Sequence, residues 1–283
     1  MMMRRSLCLL VFTIMSFISK AQLASTAYEQ ALKTKKAMLI CMYSETPGYI
    51  TSVEGKSPVG VLPEIMNAFV KHQKTTNNID IALDYQPFKK NTSITEIFSA
   101  VTQSKDGVFG LVFIFMTEER KRTLHFSSPI FESPSFLLTK SNVPTINSKK
   151  EATEKWKDFT AYANQGNYYH DKFTELKATA LPDLKIEFFK SYTPNNITET
   201  IVKDKAMVYV DISGLLYAME KNVPFKNHKA LQIATPSGII LSKNNSWQKP
   251  FNQFLESGFL KSPEFKKIIA DNLGLPTLSF LKL

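Results

Sequence analysis

VFGLVFIF, Val108–Phe115, runs straight into MTEERKRTLHFSSP, Met116–Pro129. The first segment has no charged side chain and no alternation of apolar with polar residues. It reads as a strand buried on both faces, as parallel strands usually are. The second segment then presents Glu118, Glu119, Arg120, Lys121 and Arg122 in succession. Such a cluster at the end of a buried strand is either a solvated turn or holds a charge that acts at the strand's end.

Upstream, Ala37–Tyr43 is a short apolar run and reads as the first strand. A polar, turn-rich stretch follows, SETPGYITSVEGKSPVG. Leu62, Ile65, Met66, Phe69 and Val70 then recur at helical spacing, with Pro63 in the first turn where its missing N–H matters least. Ile79, Ile81, Leu83 and Tyr85 alternate with period two and give a second strand. Ser93–Glu96 (SITE) is a capping box that opens a helix with Ile94, Ile97, Phe98 and Val101 on its apolar face. The order β-α-β-α-β predicts an open α/β sheet.

Downstream of the charged cluster, Ser135–Thr139 starts another strand after the joint SPIFESP. Asn142–Asn167 is polar and loop-rich. Phe173–Ala180 reads as helix, Ile186–Phe189 as strand, Ile197–Val202 as a short helix and Met207–Val210 as a strong strand followed by a helix in SGLLYAMEKN. Ser237–Leu241 is one more strand. Helices are expected around Pro250–Leu255 and Phe265–Leu273, the last with Ser262 as N-cap and Pro263 at its first position.

The first residues, MMMRRSLCLLVFTIMSFISKAQ, have the form of a secretory signal peptide. Arg4 and Arg5 precede an apolar run from Ser6 to Ile18, and Ser19 and Ala21 supply small residues for cleavage after Ala21. The apolar run is shorter than the ~20 residues that span a bilayer. Export to a bacterial periplasm fits the cysteine usage. Cys8 lies in the leader, so Cys41 has no partner for an internal disulfide. Within AMLICMY, Cys41 reads as a small core residue. The formal charge of +10 falls to +7 once Arg4, Arg5 and Lys20 leave with the leader. The remaining lysines are scattered, so no nucleic-acid footprint is expected. His72, His125, His170 and His228 lack metal-ligand spacing, and no phosphate loop or nucleophile elbow is present. No cofactor or metal is expected.

The sequence resembles the bacterial periplasmic amino-acid-binding proteins, solute-binding protein family 3 of polar amino-acid ABC transporters. Three stretches carry the resemblance. Thr117, Arg120, Phe126, Ser127 and Pro129 match a Thr-x-x-Arg segment with a Phe-Ser-x-Pro turn. GVLPEIMNAF is similar to the helix entry of the first lobe, with Glu64 near its acidic position. MVYVDISGLLYAMEK is similar to the strand-Asp-helix of the second lobe.

The resemblance implies a two-lobed α/β venus-flytrap architecture with open sheets, flanking helices and a two-segment hinge. On this basis residues 1–21 are the signal peptide and 22–129 plus 241–283 form lobe 1. Residues 130–134 and 239–240 form the hinge, and 135–238 form lobe 2. A monomer is implied that holds a small-molecule ligand in the cleft and delivers it to an ABC permease. The alternatives are an enzyme on the same scaffold, of the cyclohexadienyl dehydratase kind with Glu45 or Glu132 as acid or base, or a ligand-binding sensory or accessory protein.

The resemblance also implies roles for residues. Arg120 would grip a ligand carboxylate with its planar fork of donors; on local grounds it is equally a surface arginine paired with Glu118 or Glu119. Thr117 opens the same segment. Asp211 would receive the ligand's ammonium group, or else cap the helix that follows it. Gly166, Asn167 and Tyr168 occupy the turn that leads into a lobe-2 helix, although Gly166 also suits an ordinary loop. Phe113 and Phe115 stand where the family has a small residue and a threonine, and Tyr43 lies near its first-strand polar contact. These rings either stack on a ligand or pack in the core.

Overall fold

The computed structural model describes residues 25–89, 92–190 and 193–281. The expected signal peptide lies outside the described residues, among which no helix is long and apolar enough to cross a membrane.

Helix α1 (Tyr28–Thr34) leads into β1 (Lys36–Tyr43), which buries alternate residues. Cys41 is fully buried, and burial raises its thiol pKa. The turn-rich stretch that follows contains a hairpin, β2 (Thr51–Val53) and β3 (Lys56–Val59). Gly60 then takes φ +131, and a Cβ there would lie 2.5 Å from the Tyr49 carbonyl oxygen. This close approach lets the first N–H groups of α2 (Val61–Asn77) find acceptors: Val61 donates to the Gly48 carbonyl and Leu62 to that of Tyr49.

β4 (Asp80–Pro87) and β5 (Val108–Phe115) flank β1 in parallel, with α3 (Ile94–Thr102) between them in sequence. Both halves of the Ser93–Glu96 capping box form. The expected buried strand is therefore present, but it is parallel to β1 on one side and antiparallel to a later strand on the other.

After β5 come the one-turn helix α4 (Glu118–Thr123), β6 (His125–Phe126) and β7 (Phe131–Lys140). The chain then builds a second group: α5 (Lys149–Lys155), β8 (Thr160–Ala163), α6 (Tyr168–Thr179), β9 (Lys185–Phe188), α7 (Pro194–Ile201), β10 (Ala206–Val210), α8 (Ile212–Glu220) and β11 (Phe225–Asn227). It returns along β12 (Ile233–Leu241) and ends in α9 (Gln248–Glu256), α10 (Pro263–Leu273) and α11 (Leu275–Phe280).

The main sheet runs β4-β1-β5-β12-β7-β10-β8-β9. β7 and β12 join its two halves, and each changes partner along its length. Phe131–Ser135 of β7 pairs antiparallel with Ile233–Ser237 of β12. Beyond that, β7 pairs with β10 and β11, while β12 pairs with β5 and β6. Parallel β8–β9 and β8–β10 pairs with intervening helices make the second half an α/β unit of its own.

One buried cluster runs across both halves, from Phe69 and Phe109 through Phe131 and Phe136 to Val210 and Leu215, and a second lies within the second half. In the first, the terminal helices return so that Phe251 and Phe254 of α9 meet Phe69 of α2, with ring centroids 5.1 and 5.6 Å away. In the second, Trp156, Phe173 and Tyr209 are buried with Leu137 and Met207.

Candidate functional site

The end of β5 is pinned where the halves meet. Met116 N–H donates to the Pro236 carbonyl of β12 at 2.8 Å. Thr117 then caps α4, its hydroxyl accepting from the Arg120 N–H at 3.2 Å. The short turn directs the Arg120 side chain back along the strand, and Nη1 donates to the Phe115 carbonyl at 3.1 Å. Its guanidinium carbon lies 5.8 Å from the centroid of Phe98 on α3, a cation–π distance.

Arg120 forms no ion pair among the described residues. Glu118 is taken by Lys121 at 2.8 Å, and Lys121 and Arg122 are exposed. Partial burial lowers the pKa of Arg120, while Glu119, Asp171 and Tyr168 act in the opposite direction. A guanidinium stays protonated regardless, so Arg120 is a positive charge at the junction, its carbonyl contact leaving further donors unused.

That charge lines a cavity of about 460 Å³ between the halves. Phe98, Thr117, Glu119 and Arg120 contribute from the first half. Gly166, Tyr168, Asp171 and Lys172 contribute from the start of α6. Gly166 has φ +69 with open space around it, so backbone conformation rather than packing explains the glycine. Asn167 caps α6 by accepting from the His170 N–H at 2.9 Å. Tyr168 shares a 2.5 Å hydrogen bond with Thr235 Oγ1 on β12. A larger depression of about 600 Å³ lies along α2 and β4, within the first half alone, beside the exposed Lys71 and Lys74.

Phe113 and Phe115 point to one side of β5, and both meet rings of the protein itself. Phe113 stacks on Tyr49 at 4.9 Å and contacts Phe131 at 4.5 Å. Phe115 contacts Tyr168 at 4.6 Å and Tyr169 at 6.1 Å, both on α6 of the other half. Tyr43 is buried, shares a 2.9 Å hydrogen bond with Ser52 and meets Tyr85 edge-on. Asp211 caps α8: its Oδ1 accepts from the Gly214 N–H at 2.8 Å and from Ser213 Oγ at 2.7 Å. Its charge also contributes, after burial, to raising the Tyr49 phenol pKa.

The structure thus brings Thr117, Arg120, Gly166 and Tyr168 to one cavity, with Asn167 and Phe115 beside them. Phe113, Tyr43 and Asp211 do not line it. Among the lining residues that escaped the sequence reading are Phe98, Glu119, Asp171 and Lys172. Phe98 reads as helix core and Glu119 as a partner for Arg120, while Asp171 and Lys172 sit in HDKF, which looks like any solvated first turn. The signal that unites them is the approach of α6 to α4, which no local pattern encodes.

No family model and no curated protein matches the chain by sequence. Solved structures do. A binding component of an ABC transporter from Wolinella succinogenes, complexed with lysine, is similar with a TM-score of 0.60 at 14% identity, over 83% of this chain and 95% of that one. The second substrate-binding domain of GlnP from Lactococcus lactis, in open conformation, gives 0.57 at 17% identity, over 88% and 97%. An ancestral amino-acid-binding protein, a precursor of cyclohexadienyl dehydratase, gives 0.57 at 16% identity, over 87% and 98%. At these identities the likeness is one of fold: the chain has the two-domain type II periplasmic binding protein fold.

Proposed function

We propose that the protein is a solute-binding protein that captures a small anionic or zwitterionic molecule, an amino acid above all, for an ABC importer. One observation carries the reading. Arg120 is a partly buried guanidinium with no ion pair among the described residues, and it lines a cavity to which both halves of the sheet contribute. A planar fork of donors in such a place suits a carboxylate. Similar structures include an ancestral arginine-binding protein and the lysine-bound component described above, which supports the same class of ligand.

In this reading residues 1–21 direct export to the periplasm, where the protein works as a monomer and does not catalyse a reaction. Lobe 1 comprises 22–129 and 241–283, lobe 2 comprises 135–238, and the β7–β12 crossing is the part that bends. A ligand touching both lobes favours the closed form because closure completes its contacts.

Calorimetric titration of the processed protein with an amino-acid panel tests the proposal. Wild type is expected to bind at least one member, and Arg120→Ala to weaken that binding by roughly tenfold or more, as loss of a charge-assisted pair entails. Equal affinity in the two proteins removes Arg120 from the site.

A dehydratase is the second reading, favoured by the precursor structure and by two carboxylates, Glu119 and Asp171, in the same cavity. A carboxyl group can serve there as general acid or base. Glu45 and Glu132 do not line that cavity; Glu45 accepts from the Ser52 N–H at 2.9 Å. Turnover of prephenate-like cyclic acids distinguishes this reading from pure binding.

A further inference from the structure

Helix α3 carries more apolar side chains than the core takes. Ile97 and Val101 are buried, whereas Ile94 and Phe98, one turn apart, border the cavity. Ile94 is 46% exposed. Phe98 is half-buried and packs against the buried cluster that includes Leu124. Leu124 lines the same cavity, as does the half-buried Tyr168 from the other half. Apolar surface gathered around one opening and left uncovered marks a place where an apolar group binds.

The charges around that surface are of unequal use to a ligand. Arg120 is half-buried, its guanidinium carbon 5.8 Å from the Phe98 centroid, and it has no ion pair among the described residues. Glu119 and Asp171 are exposed, so an ammonium group meeting either stays in water and gains little from the pair. Asp211 already accepts two hydrogen bonds within its own cap and does not line the cavity. A carboxylate therefore finds a half-buried partner here, and an ammonium group finds none. Set against Ile94 and Phe98, an ammonium group would also give up water with nothing in its place.

We propose that the cavity selects monocarboxylates with an apolar body and no ammonium group, the carboxylate on Arg120 and the body against Ile94, Phe98 and Leu124. The inference rests on the binding reading above and narrows its ligand from zwitterion to simple anion. A volume of about 460 Å³ is ample for such a molecule and falls within the range of small-molecule sites.

The test is calorimetric titration of wild type, Ile94→Ser and Arg120→Ala with 3-phenylpropionate, L-phenylalanine, propionate and L-glutamine, with each variant's melting temperature recorded. L-phenylalanine adds only the ammonium group to 3-phenylpropionate, and propionate lacks only the ring. Wild type is expected to bind 3-phenylpropionate roughly tenfold more tightly than any of the other three. Ile94→Ser should weaken that binding by about threefold or more, through lost apolar contact. Because Ile94 is exposed, its melting temperature should stay near that of wild type; if Ile94→Ser does not fold, Ile94→Thr replaces it. Affinity for L-phenylalanine, L-glutamine or propionate that equals or exceeds that for 3-phenylpropionate overturns the inference and leaves the binding reading standing. Unchanged affinity in Ile94→Ser does the same. Failure of wild type to bind any of the four, or wild-type affinity in Arg120→Ala, overturns the binding reading beneath it.

Discussion

His228 shows how strongly a single buried group can tie stability to pH. Its ring is fully buried, edge-on to Trp156 at 4.6 Å. Nδ1 accepts from the Ile146 N–H at 3.3 Å, which leaves the Nε2 proton to donate to Thr139 Oγ1 at 2.8 Å. A second proton would have to sit on Nδ1, facing a donor. Burial, and after it the charge of Lys226, depresses the imidazole to about 4 from its ordinary 6.5. The folded state thus holds a neutral ring while the unfolded chain takes up a proton below about 6.5. The contribution of this group is complete above pH 6.5 and is lost as pH falls towards 4. Denaturant melts at pH 7 and 4.5 should show wild type losing more stability on acidification than His228→Gln. Equal losses would mean that the imidazole does not govern the second half's acid sensitivity.

At the scale of elements, Gly60 is the joint on which α2 depends. A side chain there meets backbone, not a movable side chain, and the residue's φ disfavours any Cβ. Gly60→Ala should cost about 1–3 kcal/mol, the range for a strained backbone position, read from urea melts. The elements most legible in the sequence are those with their own punctuation. The Ser93–Glu96 box and the Ser262–Pro263 start announce their helices, and both appear as read. β8 and α5 were hidden in a stretch that looks like loop. TAYA has little bulk of its own and is a strand because β10 and β9 pair on either side of it. KKEATEK buries only Ala152, so it carries almost no periodic signal. The β2–β3 hairpin was obscured in the same way by a polar, glycine-containing turn region. The site divides along the same line. Arg120 could be found because it ends a conspicuous buried strand, whereas Asp171 acquires its position only when the fold brings the start of α6 to the cavity that α4 also lines.

For the whole molecule, the aromatic bridge between the halves is the feature with mechanical weight. Phe115 on the first half contacts Tyr168 and Tyr169 on the second. Such ring pairs contribute about 0.5–1.5 kcal/mol beyond their buried area, comparable with the gap between open and closed states of a hinged protein. Phe115→Ala should therefore shift the ligand-free protein towards the open form, seen as a larger radius of gyration in small-angle scattering. An unchanged radius would show that the rings do not set the spacing of the halves.

The partner exchange of β7 and β12 has a further consequence for how the chain is made. One edge of Val108–Phe115 pairs with β1, which precedes it; the other waits for Ser237–Leu241, which emerges only after the whole second half has been synthesised. During that interval the most apolar strand presents an open edge, the kind of surface that templates association between chains. The first half cannot finish before the second has been completed, so the segment that anchors the candidate site is also the one at greatest risk while the chain is still growing.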